Sequence, residues 1–380
     1  MIRIAVWGAG DAAETHVRSF LKYPGRCKIT AVINHNADRA EALVQKYGLT
    51  EARVFTGLAS AVESVPVDAV SLCLPPAQHC ACAIEAMERG LHVLTEKPMA
   101  NSLEECDRMI RCAEKNHKLL AVIFQLRFTN EAQRIRTLLK SGDFGAFRYG
   151  NFNSMWFRGE HYHDVAWRGT WALEGGGVLT AQAIHHLDLV QYLAGMPEKV
   201  NAVMANVGHS NTQCEDVLTA IFRYPEAFAQ FSASLVSHGQ RKELSFHTDK
   251  ALMNIPWNPA SDTGQPNGYA ADDAVTLAAL KQSYDSIPPL EAEKHDAQIL
   301  NFLNAIEGKE ALLVDGAEGR KSMELITAVY ESFVTGREIA LPITEADPFY
   351  TAEGRTAALP HFHEKTRSTA RSGSGKALFA

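Results

Sequence analysis

Cysteine is scarce in this chain and never paired in sequence. Seven of 380 residues are cysteine (Cys27, Cys73, Cys80, Cys82, Cys106, Cys112 and Cys214), an odd count with no C-x-x-C spacing, which argues against a disulfide framework and against a closed zinc site. Cys73, within DAVSLCLP at 68–75, reads as a small packing hydrophobe. Scattered thiols of this kind suit a reducing, cytoplasmic compartment. Basic clusters are missing as well: 37 Lys and Arg against 44 Asp and Glu leave a net charge of −7, and without a positive face no nucleic-acid partner is expected. No apolar run approaches the roughly 18 residues of a membrane span. The first residues read as a core strand and not as a leader, so neither membrane nor secretion is expected. What remains, 46% hydrophobic and 21% charged, is the composition of a globular protein with a small-molecule partner, and 380 residues suffice for two domains.

Residues 1–122 alternate strand-like and helix-like segments: IRIAVW then 12–22, CKITAVI then 38–47, DAVSLCLP then 77–89, HVLTE then 102–116, and LLAVIF. Such alternation predicts a parallel sheet covered by helices on both faces. The first strand breaks into Gly8, Ala9, Gly10, Asp11, Ala12 and Ala13. Gly8 permits a tight turn, Gly10 lets backbone approach a pyrophosphate, and Ala13 is small enough for the following helix to pack closely on the sheet. The amides at that helix start favour an anion. A G-x-G-x-x-A run is weak evidence alone and strong between a first strand and a first helix. Ser102, with Glu105 three residues on, forms a capping box that starts the helix after Pro98.

After residue 122 the pattern changes. A helix runs from an N-cap at Asn130 to a stop at Gly142. Strand-like stretches follow at 146–157, 200–208, 216–224, 228–237 and 242–255. Consecutive strands predict an α+β second domain, residues 123–345, with a large open, mainly antiparallel sheet. Helices at 291–307 and 317–335 and a strand at 337–343 complete it. From Thr344 the chain turns polar and loop-like, a C-terminal tail over 346–380 in which RSTARSGSGK at 367–376 reads as flexible.

Two segments carry chemistry. HVLTEKP at 92–98 ends an apolar strand in Glu96, Lys97 and Pro98; Glu-Lys-Pro alone is a common surface tripeptide, but at the end of a dinucleotide-binding strand its lysine can face a nicotinamide. FRGEHYHDVAWRGTW at 157–171 is rich in aromatics, histidines and arginines and reads as a loop over a substrate, since aromatic faces stack on sugar rings and arginines pair with anions. His161 and His163 beside Asp164 lack a third ligand cluster, so no metal is expected.

The chain resembles the Gfo/Idh/MocA family of NAD(P)-dependent oxidoreductases over roughly residues 1–345. The resemblance rests on GAGDAA at 8–13, LPPAQH at 74–79, EKP at 96–98, WRGTW at 167–171, GGGVL at 175–179, IHHLD at 184–188 and GRKSMELITAVYESFVTGREIALP at 319–342. It implies a Rossmann domain at 1–122, a substrate domain whose open sheet supports a homodimer or homotetramer, and an active site between them. It also implies that Lys97 approaches both the substrate hydroxyl and the nicotinamide, with His185 as its catalytic partner. Gly8, Ala9, Gly10, Asp11 and Ala12 would hold the pyrophosphate, and Asn34, His35 and Arg39 the adenosine ribose. Leu74, Pro75 and His79 would line the cofactor, as would Glu96, Gln125, Trp167 and Arg168. The implied substrate contacts are Arg127, Arg158, Tyr162, Arg168, Gln182, His185 and His186.

Such chemistry removes a hydride and a proton together. Lysine can take the proton when burial and a nearby positive nicotinamide lower its pKa, and histidine can do so unaided. Two departures from the family matter. Ala181, four residues before His185, replaces an Asp or Asn, so either Lys97 works with His185 alone or His186 or Tyr162 takes over part of the role. Asn34 replaces the acid that binds a ribose 2′-OH; the choice of NAD(H) over NADP(H) then follows family habit. The expected function is oxidation or reduction of a secondary hydroxyl of a pyranose or pyranoside, with carbon 3 one candidate. The alternative is an NAD-dependent glycosidase that oxidises, eliminates, hydrates and re-reduces. Arg168 is expected to meet an anionic group on the substrate.

Overall fold

The computed structural model describes residues 1–369. Its first sheet collects β1 (Ile2–Trp7), β2 (Cys27–Ile33), β3 (Arg53–Phe55), β4 (Ala69–Leu72), β5 (His92–Thr95) and β6 (Leu120–Val122). All six pair in parallel, in the order β3-β2-β1-β4-β5-β6. Helices α1 (Asp11–Phe20), α2 (Ala37–Lys46), α3 (Leu58–Ser64), α4 (His79–Glu88) and α5 (Leu103–Lys115) connect them. Burial on both faces explains the unbroken apolar strands: Ile4, Ala5 and Val6 are all inaccessible. The strand order reverses between β1 and β4, and the crevice beyond the carboxyl ends of those strands is where such sheets take a ligand.

The second sheet contains β7 (Phe147–Met155), β8 (Lys199–Ala205), β9 (Val217–Arg223), β10 (Phe228–Ser234), β11 (Lys242–Thr248) and β12 (Leu252–Ile255). A short ribbon, β13 (Asp262–Gly264) and β14 (Ala270–Asp272), lies apart, and β15 (Ile339–Ala340) closes the order β12-β11-β7-β10-β9-β8-β15. Every pair in it is antiparallel except β10 with β7. One face is packed and the other open, as the alternating burial along β8 records. The stretch 242–255, expected as one strand, is a hairpin turned at Thr248, whose amide meets Ala251 O at 2.8 Å. β3 and α3 were not expected, being three and seven residues long; β3 exists through its pairing with β2.

The remaining helices are α6 (Asn130–Ser141), α7 (Ile184–Ala194), α8 (Ala274–Ser286), α9 (Lys294–Ile306), α10 (Gly316–Thr335) and α11 (Ala352–Ala358). The N-cap of α6 is Thr129, not Asn130, its hydroxyl accepting from the Ala132 amide, and Gly142 ends the helix at φ 74°. In α7 all residues but the last are buried, the mark of a helix packed on all sides. Helix α9 packs against the first sheet: Ile299, Phe302 and Leu303 share a core with Ile4, Val6, Val17 and Phe20. The tail is not a plain loop. Helix α11 buries Arg355 beneath Gly175, and Pro360 O receives the Trp171 indole at 2.9 Å. Of RSTARSGSGK, all beyond Thr369 lies outside the described residues.

Candidate active site

At the end of β1, Gly8 sits at φ +123°, and a Cβ there would lie 2.2 Å from Cys73 O at the end of β4. Only glycine fits. Gly10, two residues on, differs: a Cβ would meet no protein atom within 4 Å. Its open side, together with a start of α1 that no side chain caps, is a cradle for a diphosphate, with Ala9, Asp11 and Ala12 around it. Leu74 and Pro75 follow β4 at the same edge, and Gln125, after β6, is 3% exposed with a buried Oε1 that has no protein partner. An empty-handed buried acceptor fits the amide of a nicotinamide. The residues present therefore suit a nicotinamide dinucleotide.

Lys97 leaves the end of β5 on the same edge. Its Nζ donates to Ala181 O at 2.8 Å, and its backbone amide donates to Glu96 Oε2 at 3.1 Å. Residues Leu179–Ala183 form a π-helical turn leading into α7, so Ala181, which stands where the family has Asp or Asn, offers the lysine a main-chain oxygen in place of a side chain. Burial lowers the Lys97 pKa, Glu96 and Glu174 push it back up, and Arg168 lowers it. His185, at the head of α7, is 6% exposed with the Phe124 ring edge-on at 6.4 Å. Burial first, and then the Lys97 charge, holds its imidazole well below the usual value, so it is neutral at physiological pH.

Glu96 has its own support. Its Oε1 meets His16 Nε2 at 3.1 Å, while His16 Nδ1 lies 2.6 Å from Ser71 Oγ. Burial opposes charge on His16, but Cys73 and Glu96 beside it outweigh that and raise it to about 10. Glu96 is held well below the carboxylate range: burial opposes this, and the His16 hydrogen bond and charge prevail. With His295 of α9 these form a group whose ligating atoms lie within 4.8 Å of one another. None of His16, Ser71 or His295 was singled out from sequence. The signal available for His16 was its position on α1 three residues after Ala13, on the face packed against the sheet.

The loop after β7 forms the other wall. Tyr162 OH accepts from Gln182 Nε2 at 2.6 Å and from the Arg168 guanidinium. Arg168 stacks 4.5 Å over Tyr162 and 4.7 Å over Trp167, and Glu174 pairs with it at 3.5 Å. Glu174, 2% exposed, also accepts from the Gly169 amide at 2.6 Å; sequence reasoning missed it. Arg158 reaches Gln182 Oε1 at 3.4 Å and lies 5.2 Å over Trp156. His161 is exposed and bonds Asp164, whereas His163 is buried against His209.

Several expected contacts fall elsewhere. Arg127 is wholly buried, forked onto Asp188 at 2.8 and 2.7 Å and bound to Glu318 at 2.7 Å, so it ties α7 to α10 and is not open to substrate. His79 is likewise inaccessible, its ring nitrogens 2.8 Å from Pro98 O and Leu74 O; it braces the loops behind the cofactor crevice and does not touch a cofactor. His186, next to His185 but turned around the helix, meets Ser154 Oγ at 2.7 Å on the second sheet, which removes it from the catalytic group. Asn34 spends its Oδ1 on the Asn36 amide at 2.9 Å. His35 and Arg39 are exposed, and Arg39 lines a surface groove with Ala9, Glu14 and Lys46.

Comparison with known proteins fits this geometry. The chain is 26% identical over 357 residues to a D-glucoside 3-dehydrogenase of Escherichia coli, covering 90% of this chain and 97% of the other. A solved structure of the WlbA dehydrogenase from Bordetella pertussis, in complex with NADH and UDP-GlcNAcA, superposes with a TM-score of 0.77 at 25% identity over 90% of this chain and 99% of that one. A levoglucosan dehydrogenase in complex with NADH, at 18% identity and a TM-score of 0.76 over 90% of this chain and all of the other, shares the fold. Residues 2–124 match the oxidoreductase family with an NAD-binding Rossmann fold, and residues 132–253 match the GFO/IDH/MocA C-terminal domain. The chain belongs to the Gfo/Idh/MocA family of oxidoreductases.

Proposed function

We propose that this protein moves a hydride between nicotinamide and a secondary hydroxyl of a sugar or glycoside, with NAD(H) as the cofactor. The observation that carries the reading is Lys97, a lysine of lowered pKa held by Ala181 O beside a neutral His185 at the mouth of the dinucleotide crevice. When bound, the nicotinamide supplies the hydride acceptor or donor. The chain supplies the rest. Once deprotonated, the Lys97 amine gives one N–H to Ala181 O and has its lone pair free for the substrate hydroxyl proton. His185 holds the same hydroxyl or its neighbour, and Glu96 keeps the lysine backbone in place through its amide. Glu96 and Gln125 are the groups that would hold the nicotinamide riboside, and Tyr162 and Gln182 face the sugar.

The likeness to a glucoside 3-dehydrogenase and to a dehydrogenase bound to a sugar nucleotide supports a sugar as substrate, and carbon 3 as the position to test first. The redox-neutral glycosidase cycle finds no support among these relatives. The test is to supply NAD+ with methyl glucosides and follow the reduced cofactor by absorbance and the keto product by mass. Lys97→Met should cut turnover by ~10² to 10⁴ while binding NADH as the parent does. Wild-type rates in that variant, or cleavage of the glycoside without accumulation of reduced cofactor, would overturn the proposal.

A further inference from the structure

The charges around the substrate loop do not balance. Arg168 is matched by buried Glu174, and Arg367 by Glu160 and Asp164. Two cations on the same wall have no such match. Arg158 gives Nη1 to the neighbouring Phe157 O and Nη2 to Gln182 Oε1, and its Nε is buried with no partner. Lys242, at the start of β11, lies 4.2 Å over the Trp156 ring, the same ring that Arg158 covers at 5.2 Å. Among the described residues neither has a carboxylate partner. Partial burial lowers the Lys242 ammonium first, and the like charges of Arg158 and Lys294 lower it further. The charged and titratable groups that bear on Lys242 are Arg158, Lys294 from the start of α9 and His186 from α7.

Holding like charges together with a buried, unpaired guanidinium nitrogen is costly unless an anion joins them. The position of these cations says what the anion belongs to. Ala181 O holds the Lys97 amine and Gln182 Oε1 holds the Arg158 guanidinium, and these are consecutive residues with Cα atoms ~3.8 Å apart. One small molecule can reach both. Trp156, 4% exposed, lies under both cations and fixes them at one place on the wall.

We propose that the substrate carries an oxyanion, a carboxylate or a phosphate ester, received by Arg158 and Lys242 astride Trp156. Arg168 is thereby assigned to the scaffold, where Glu174 neutralises it, and not to the anion. This rests on the sugar-oxidoreductase reading for its substrate skeleton but not for its binding test.

The experiment uses the full chain loaded with NADH. Binding of D-glucuronate, glucose 6-phosphate, methyl glucoside and inorganic phosphate is measured by calorimetry and by tryptophan fluorescence in the parent, Arg158→Gln, Lys242→Gln and Arg158→Lys. An anionic sugar should bind the parent at least tenfold more tightly than methyl glucoside, about the worth of one charge-assisted hydrogen bond. Each glutamine variant should lose that preference, and Arg158→Lys should restore part of it. The ratio of glucuronate to glucose 6-phosphate affinity tells carboxylate from phosphate. Preference for the neutral glucoside in the parent, or equal loss for charged and neutral sugars in the variants, would overturn the anion site. Anion-selective binding without hydride transfer would sink the oxidoreductase reading and leave the site standing.

Discussion

At the scale of the residue, the site turns on charges whose neighbours can be edited singly. Lys97 is lowered by burial and partly restored by Glu96 and Glu174. Glu174→Gln removes one restoring charge while keeping an acceptor for the Gly169 amide, so the Lys97 pKa falls further. A base acts when deprotonated, and the rising limb of the pH profile for alcohol oxidation should move to lower pH; an unmoved limb means that another group titrates. At the end of β2, Asn34→Asp keeps an acceptor for the Asn36 amide and adds a negative charge, which should weaken NADP(H) far more than NAD(H) if the ribose lies there. Equal losses for the two cofactors, read by binding, would place this side chain away from the ribose. Residue types in motifs singled out Lys97 and His185, and the fold brings the two to one crevice. They misled at Arg127, because a conspicuous arginine in sequence looks the same whether it meets a substrate or, as here, Asp188 and Glu318, which lie 61 and 191 positions away. The role of Ala181 had no sequence signature at all, since its contribution is a main-chain oxygen.

At the scale of the element, the turn from β1 into α1 separates two reasons for glycine. Gly8→Ala pushes a Cβ onto Cys73 O at a backbone angle only glycine adopts freely, so the expected result is a fall in melting temperature of several degrees, ~1–3 kcal/mol of strain, with or without cofactor. Gly10→Ala meets no protein atom. It should leave the apo melting temperature within about a degree yet weaken NADH binding tenfold or more, by occupying the space a pyrophosphate needs. Identical behaviour of the two variants would show that the cradle is misplaced. Elements with strong periodicity, such as α1, α5, α10 and the longer strands β1, β2, β7 and β9, were legible in advance. Those that owe their existence to a partner were not: three-residue β3 pairs with β2, and α11 hides a charged residue, Arg355, against the glycine run, so its burial pattern reads as polar surface.

At the scale of the whole molecule, buried histidines set the response to acid. His163 is lowered to about 3, and His186 and His295 to about 4, by burial above all. Unfolded, each takes up its proton near pH 6.5, whereas the folded state resists until pH 3–4. Between those values the unfolded chain holds more protons, so stability falls as pH falls, by ~1.4 kcal/mol per pH unit for each histidine. The melting temperature should drop steeply from pH 6.5 to pH 4.5, and His186→Gln should flatten that slope; a slope the variant leaves unchanged would exclude His186. His16, raised to about 10, acts in the opposite range, its contribution complete below pH 6.5 and lost as pH climbs toward 10. Helix α9 adds a constraint of another kind. Gln298 gives its Nε2 to Val122 O at 2.7 Å and receives the Phe124 amide on Oε1 at 3.0 Å, occupying the polar backbone beside β6 as a neighbouring strand would. Residues 1–122 emerge from the ribosome well before Gln298 exists, so during synthesis the finished nucleotide-binding half waits with an unsealed strand edge. The fragment 1–122, expressed alone, should therefore aggregate where the full chain does not, and a helper that shields β6 should be needed only until α9 and the Val314–Asp315 segment, which pairs with Ala121 and Val122, arrive.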